Sequence, residues 1–288
     1  MTSNAGERRR SDRLWLTVPL RFESVDSNGV SVELDGRALS LSRYGARIQY
    51  PLPLGKGQAV MVRSPIGRHE AEFRVVEPIV SSKEKDGEYG VECVDENENF
   101  WGIDFPTRVE GEQADAKALL ECRVCHNMAL VPLNLAEVEA LRSNGKVGMS
   151  CTHCKTETPW SYAEVRVRVK PLNKDTQAEP TNWIASSLPP LERGHRRVYM
   201  QVPLGLRDSR GSAEVTKTEN ISKCGFCFAS EKKYLTGEIV MSVFPLDPVS
   251  QKTELPARIV REQNIEGSGR RFYGATFESQ TSSKPLVA

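Results

Sequence analysis

Short runs of alternating apolar and polar residues, rich in Val, Ile, Phe and Tyr, occupy the two ends of this 288-residue chain. Period-two alternation puts the apolar side chains on one face of an extended segment, so each run predicts a half-buried β-strand. The two ends also match each other. Arg13-Leu14-Trp15-Leu16-Thr17-Val18-Pro19-Leu20 aligns with Arg197-Val198-Tyr199-Met200-Gln201-Val202-Pro203-Leu204 at a shift of 184 positions. Leu41-Ser42-Arg43-Tyr44-Gly45 aligns with Ile221-Ser222-Lys223-Cys224-Gly225 at 180, and Arg74-Val75-Val76 with Arg258-Ile259-Val260 and Tyr89-Gly90-Val91 with Tyr273-Gly274-Ala275 at 184 again. Islands in one order, separated only by a four-residue loop difference, predict two copies of one module of roughly 90 residues. Turn pairs such as Asn28-Gly29 and Asp35-Gly36 punctuate the first copy, and closure into an antiparallel barrel removes exposed strand edges. The expected fold class is mainly β, two antiparallel β-barrels with a different module between them.

That module spans residues 117–170. Within it Leu135 to Arg142 predicts a short helix, with Leu135, Val138 and Leu141 on one face, Asn134 and Glu137 placed for a capping box, and Gly145 as the stop. Cys122-Arg123-Val124-Cys125 and Cys151-Thr152-His153-Cys154 flank the helix. Two residues between cysteines let a tight turn aim both sulfurs at one point, and two such knuckles supply the tetrahedral set Zn2+ prefers. The strand-like Lys146 to Ser150 brings the second knuckle back, so the module reads as a zinc ribbon with a structural, four-coordinate metal. Cys122 to His126 also spells the haem attachment pattern C-x-x-C-H, which requires export. His126 and His153 adjoin ligands and are expected outside the metal's shell. Cys224 and Cys227 repeat the C-x-x-C spacing inside a region expected to be strand, where they would face opposite sides as packing residues. The expected organisation is a first barrel over 1–110, the ribbon over 117–170, a proline-containing linker over 171–190 and a second barrel over 191–280.

Composition narrows the function. With 39% hydrophobic and 27% charged residues the chain can build cores, and a net charge of +1 gives no general attraction to phosphate backbones. The amino terminus has no apolar stretch of signal-peptide type and no run of 18 apolar residues occurs, so a cytoplasmic protein without a membrane span is expected. Basic residues do cluster locally, at Arg8, Arg9, Arg10 and Arg13 and at Arg193, His195, Arg196 and Arg197.

The second of those clusters is R-x-x-x-R, Arg193 to Arg197, and is followed by Asn220-Ile221-Ser222-Lys223-Cys224-Gly225, an N-x-S-x-x-G. With these paired motifs, residues 192–277 resemble the PilZ family of bacterial receptors for cyclic di-GMP. A guanidinium fork can grip phosphate or the O6/N7 edge of guanine, Asn220 offers donor and acceptor, Ser222 a short hydroxyl, and Gly225 room for close approach. The resemblance implies a non-catalytic receptor whose ligand-binding residues are Arg193, Arg197, Asn220, Ser222 and Gly225, with the arginines on a wrapping segment. In the first copy Arg9, Arg13, Ser42 and Gly45 fit, but Ser40 stands where Asn or Asp is expected, which makes that copy a degenerate barrel suited to structure or docking. A receptor of this kind needs a protein partner to pass on its signal. The alternative is a zinc-ribbon protein or nucleic-acid adaptor whose barrels are scaffolds. Neither a Walker loop, a nucleophile elbow nor H-E-x-x-H occurs, so no enzyme is expected, and His69 reads as a surface residue.

Overall fold

The computed structural model describes residues 11–25, 29, 31–67, 70–80, 87–164, 197–245, 254–264 and 269–278. By its contacts the chain divides into two compact units, Arg13–Ile103 with Glu164–Arg197, and Met1–Asp12 with Asp104–Ala163 and Val198–Ala288. Arg9, Arg193, His69 and the expected linker over 171–190 lie outside the described residues.

The first unit contains β1 (Arg13–Leu14), β2 (Val18–Val25), β3 (Ser31–Ser42), β4 (Gly45–Tyr50), β5 (Ala59–Arg63), β6 (Glu70–Val80) and β7 (Gly87–Cys93). They pair in the order β3-β2-β5-β6-β7-β4, and β4 returns to β3, so six antiparallel strands close a barrel with β1 laid on β3. Its interior holds Phe22, Ile48, Tyr50, Val60, Val62, Phe73 and Val91, the apolar members of the alternating runs.

The second unit begins with β8 (Ile103–Asp104), α1 (Arg108–Gln113), β9 (Ala116–Cys122), β10 (Met128–Leu133), α2 (Leu135–Asn144), β11 (Val147–Cys151) and β12 (Thr156–Tyr162). It continues with β13 (Arg197–Gln201), β14 (Pro203–Arg207), β15 (Ala213–Ser222), β16 (Gly225–Ser230), β17 (Ile239–Val243), β18 (Leu255–Asn264) and β19 (Arg271–Phe277). β14 to β19 close a second barrel by the circuit β15-β14-β17-β18-β19-β16 and back to β15.

The two barrels share particular bonds and bulges, which supports duplication more strongly than the sparse identities. The Tyr89 hydroxyl accepts from Leu54 N at 3.2 Å and donates to Leu52 O at 3.1 Å. The Tyr273 hydroxyl does the same with Tyr234 N at 3.3 Å and Lys232 O at 3.2 Å. Both barrels interrupt their registers at two equivalent places, Ala38/Ser40 with Thr218/Asn220 and Val75/Glu77 with Ile259/Arg261, and the first barrel has one further shift at Pro78/Val80. A bulge that recurs in this way is a designed bend, since it twists a strand enough to help a small sheet close.

Glycine sets the tightest point of each barrel. A Cβ on Gly45 would lie 2.1 Å from the Val91 carbonyl oxygen, and one on Gly225 would lie 2.0 Å from that of Ala275. Backbone this close leaves no room for any other residue.

In the ribbon, α2 follows its expected start and runs two residues past the expected end, to Asn144. The capping box forms, with Glu137 N donating to Asn134 Oδ1 and Asn134 N to Glu137 Oε2, both at 2.9 Å. Gly145 ends the helix in the left-handed region at φ 70°. β9 pairs with β10 along one edge and with both β12 and β13 along the other. Ribbon and second barrel therefore share one sheet. They also share one core, in which Leu120, Cys122, Leu133, Val138, Leu141 and Trp160 pack with Met200 and Val202.

Gly45→Ala should lower the stability of the first barrel by about 1–3 kcal/mol, the range for forced overpacking. Gly55→Ala, whose nearest neighbour would be the tip of Gln58 at 3.8 Å, should stay within about 0.5 kcal/mol. Urea denaturation of the full chain measures both.

Candidate functional site

What the second motif presents is decided by the β15 bulge. Register passes from Thr218 opposite Phe228 to Asn220 opposite Cys227, leaving Glu219 as the extra residue. Ser222 then closes the turn to β16 by donating from Oγ to the Gly225 carbonyl at 3.1 Å. Ser222 and Gly225 thus both shape this hairpin. Asn220 differs, because its Oδ1 is inaccessible to solvent and has no hydrogen-bond partner among the described residues. A buried amide oxygen left this way costs about 1–3 kcal/mol, a cost that a donor arriving from a ligand would remove. Arg197 opens β13, the neighbour of β15 on its outer edge, and is exposed.

The four ribbon cysteines converge. Their sulfurs all lie within 4.8 Å of one another, with Cys122 to Cys154 at 4.0 Å and Cys125 to Cys151 at 3.6 Å. Tetrahedral zinc with bonds of about 2.3 Å requires sulfurs about 3.8 Å apart, so the donor set fits that ion. Both knuckles share one backbone turn. His126 and Lys155 take left-handed conformations, φ 62° and 59°, which non-glycine residues rarely adopt. From there each donates its backbone N–H to the first cysteine's carbonyl, Cys122 O at 3.0 Å and Cys151 O at 2.9 Å. Val124 N points at Cys122 Sγ and Cys154 N at Cys151 Sγ, each at 3.4 Å, the arrangement that stabilises thiolate. Burial alone would raise the Cys122 thiol, but bonds from Thr158 and from the Cys125 and Val124 backbone outweigh it and bring the group down to about 6. Cys154 is pushed up to about 12, first by its bond with Cys125. His126 Nδ1 meets Glu121 Oε1 at 2.5 Å, away from the sulfurs.

Residues 191–284 match the family model described as the PilZ domain. The second barrel is a PilZ domain. No curated protein matches the chain. Among solved structures the chain is similar to the inhibitor of motility MotI/DgrA of Bacillus subtilis, at 12% identity and a TM-score of 0.24 over 91% of this chain and 87% of that one. It is also similar to PlzA of Borreliella burgdorferi in complex with c-di-GMP, at 8% identity and 0.29 over 95% and 89%. The MrkH–c-di-GMP complex of K. pneumonia aligns at 8% identity and 0.22 over 91% and 80%. Superpositions this loose carry no weight beyond the family match.

Against the PilZ domain, the first barrel keeps the hairpin and lacks the amide. Ser42 Oγ donates to Gly45 O at 3.2 Å, as its counterpart does. Ser40 takes the bulge position of Asn220 and is buried at 1% exposure. Arg13 pairs in register with Ser42.

Two features of the PilZ domain escaped the sequence reading. Cys224 lies in the turn between β15 and β16 and is exposed, not inside a strand, while Cys227 is buried in β16. A hydroxyl-to-sulfur contact of 3.4 Å places Cys224 beside Ser222. The second feature is Glu219, the bulged residue itself, at 7% exposure. It accepts from Gln201 Nε2 at 2.8 Å. Nothing in the motif spacing singles it out, because x in N-x-S describes the residue after Asn220 and bulging is a property of the paired sheet. Burial raises its carboxyl to about 7, against the pull of Arg270, Lys117 and Lys217.

The folded chain consequently keeps a proton on Glu219 that the unfolded chain has lost between about pH 4.5 and pH 7, so stability falls as pH rises through that window. Glu219→Gln should flatten this slope and raise stability at pH 8 by about 2–3 kcal/mol. Urea midpoints of both proteins across pH 4 to pH 8 are the check.

Proposed function

We propose that the chain is a non-catalytic receptor for cyclic di-GMP, bound by the PilZ domain through Arg193, Arg197, Asn220, Ser222 and Gly225. The unpartnered Asn220 oxygen in a PilZ domain, on the strand beside the one that Arg197 opens, carries this reading. Guanine offers N1 and N2 donors to such an oxygen, and the arginines answer the phosphates and the O6/N7 edge. Ser222 and Gly225 contribute by holding the hairpin on which Asn220 stands. The first barrel, with Ser40 buried at the equivalent bulge, serves as structure or as a docking face for a protein partner. Among the described residues no helix is long and apolar enough to cross a membrane.

Zinc is proposed as the ion held by Cys122, Cys125, Cys151 and Cys154, in a structural role. Four protein ligands leave no open position, so the ion would cross-link β9, β11 and the two knuckles rather than activate water. Purified chain should contain one zinc per polypeptide by elemental analysis. Cys151→Ser with Cys154→Ser should lose it and should expose Trp160 to solvent, read as a red-shifted fluorescence component.

Isothermal titration should show saturable binding of cyclic di-GMP. Asn220→Ala should weaken it about tenfold, one hydrogen bond's worth, and Arg197→Ala by tenfold to a hundredfold, the range for bonds to a charged group. Equal affinity in wild type and Arg197→Ala would falsify the assignment.

A further inference from the structure

The ribbon is joined to the PilZ domain by more than chain connectivity. β9 ends in Cys122, a sulfur of the metal set, and one of its edges is divided between two partners. Cys122, Glu121 and Leu120 pair with Trp160, Ser161 and Tyr162 of β12. Ala118 and Lys117, further along the same edge, pair with Met200 and Gln201 of β13. β13 begins at Arg197, so the strand bearing the described arginine of R-x-x-x-R is held by the strand bearing a metal ligand.

Side chains reinforce the connection. Cys122, Cys151, Trp160 and Met200 lie in one buried cluster, and Ile221 of the second motif packs against it. Tyr162 Oη donates to Met200 Sδ at 3.3 Å. Met200 O in turn accepts from Thr218 Oγ1 at 2.7 Å, and Thr218 Oγ1 accepts from Val202 N at 3.0 Å. Thr218 stands at the bulge two residues before Asn220. A series of buried and half-buried contacts therefore runs from the sulfurs to Thr218, two residues along β15 from the motif amide.

Energetics make this series consequential. A ribbon has a small core and takes much of its folding free energy from its metal. With the sulfurs uncross-linked, β12 and the Trp160 side of the core lose their anchor, and β13, only five residues long, loses support on the edge it shares with β9. Ligand binding would then include the cost of ordering β13.

We propose that occupancy of the four-cysteine site and dinucleotide binding by the PilZ domain are thermodynamically coupled, so that loss of the metal weakens the dinucleotide site. The proposal rests on the receptor reading above. Linkage makes it reciprocal, since whatever factor zinc adds to dinucleotide affinity, the dinucleotide must add to zinc affinity.

The test uses the full chain, zinc-loaded and stripped by chelator under reducing conditions, with two readouts. Titration with cyclic di-GMP should show affinity at least about tenfold lower in the stripped protein, within the usual span of allosteric coupling. Backbone hydrogen exchange should show amides 198–202 losing protection on stripping while β18 and β19 keep theirs. Zinc competition against a chelator, with and without saturating cyclic di-GMP, should return the same factor as the titration. Met200→Ala, which leaves every sulfur and motif residue in place, should narrow the difference between loaded and stripped protein. Unchanged affinity on stripping, or β13 protection indifferent to zinc, overturns the coupling and leaves the receptor reading intact. Zinc-loaded protein that gives no titration signal overturns the receptor reading, and the coupling with it.

Discussion

The second unit depends on the divided edge of β9. A strand has two edges to satisfy, and buried backbone groups left unpaired are costly. β9 meets one edge with β10 and splits the other between β12 and β13. That split fuses a small four-cysteine ribbon to a barrel whose own six strands form a closed circuit. It also gives the ribbon a hydrophobic core larger than its own residues could build, because Met200 and Val202 come from the barrel side. Around this seam lie the polar groups a two-part core has to accommodate, among them Lys117 paired to Asp12 at 2.8 Å and Glu219 bonded by Gln201.

The two barrels show what duplication keeps and what it releases. The tyrosine clamp, two bulges and the glycine at the β3–β4 and β15–β16 hairpins occur in both, at points where strands bend or backbones come close. Beside the bulge the copies part, with Ser40 buried in one and, in the other, an Asn220 oxygen that has no partner among the described residues. A motif residue with a structural duty is thus a poor witness to binding. Ser222 and Gly225 would be needed by this barrel whether or not it held a ligand, whereas Asn220 is not.

Much of this was legible in the chain itself. The repeat, the strand character of both ends, the helix with its capping box and glycine stop, and the convergence of two C-x-x-C pairs all follow from local rules of periodicity, capping and turn geometry, which operate over a few residues. The PilZ motifs were equally local. Cys224 was placed in a strand although Gly225 stands beside it, because the two-residue turn Lys223-Cys224 is fixed by the pairing of β15 with β16 rather than by the residues of the turn alone.

What the sequence determined by itself was therefore the strand-rich character of both ends, the helix between them, the PilZ motifs and the four cysteines that converge. Only the tertiary structure decided that the ribbon and the PilZ domain share a strand edge and a core, that Glu219 is the bulged and buried residue, and that the Asn220 oxygen lacks a partner among the described residues. Each of those depends on which strand lies beside which. Strand partnership joins residues far apart in the chain, such as Lys117 and Gln201, through a sheet whose order no local pattern encodes.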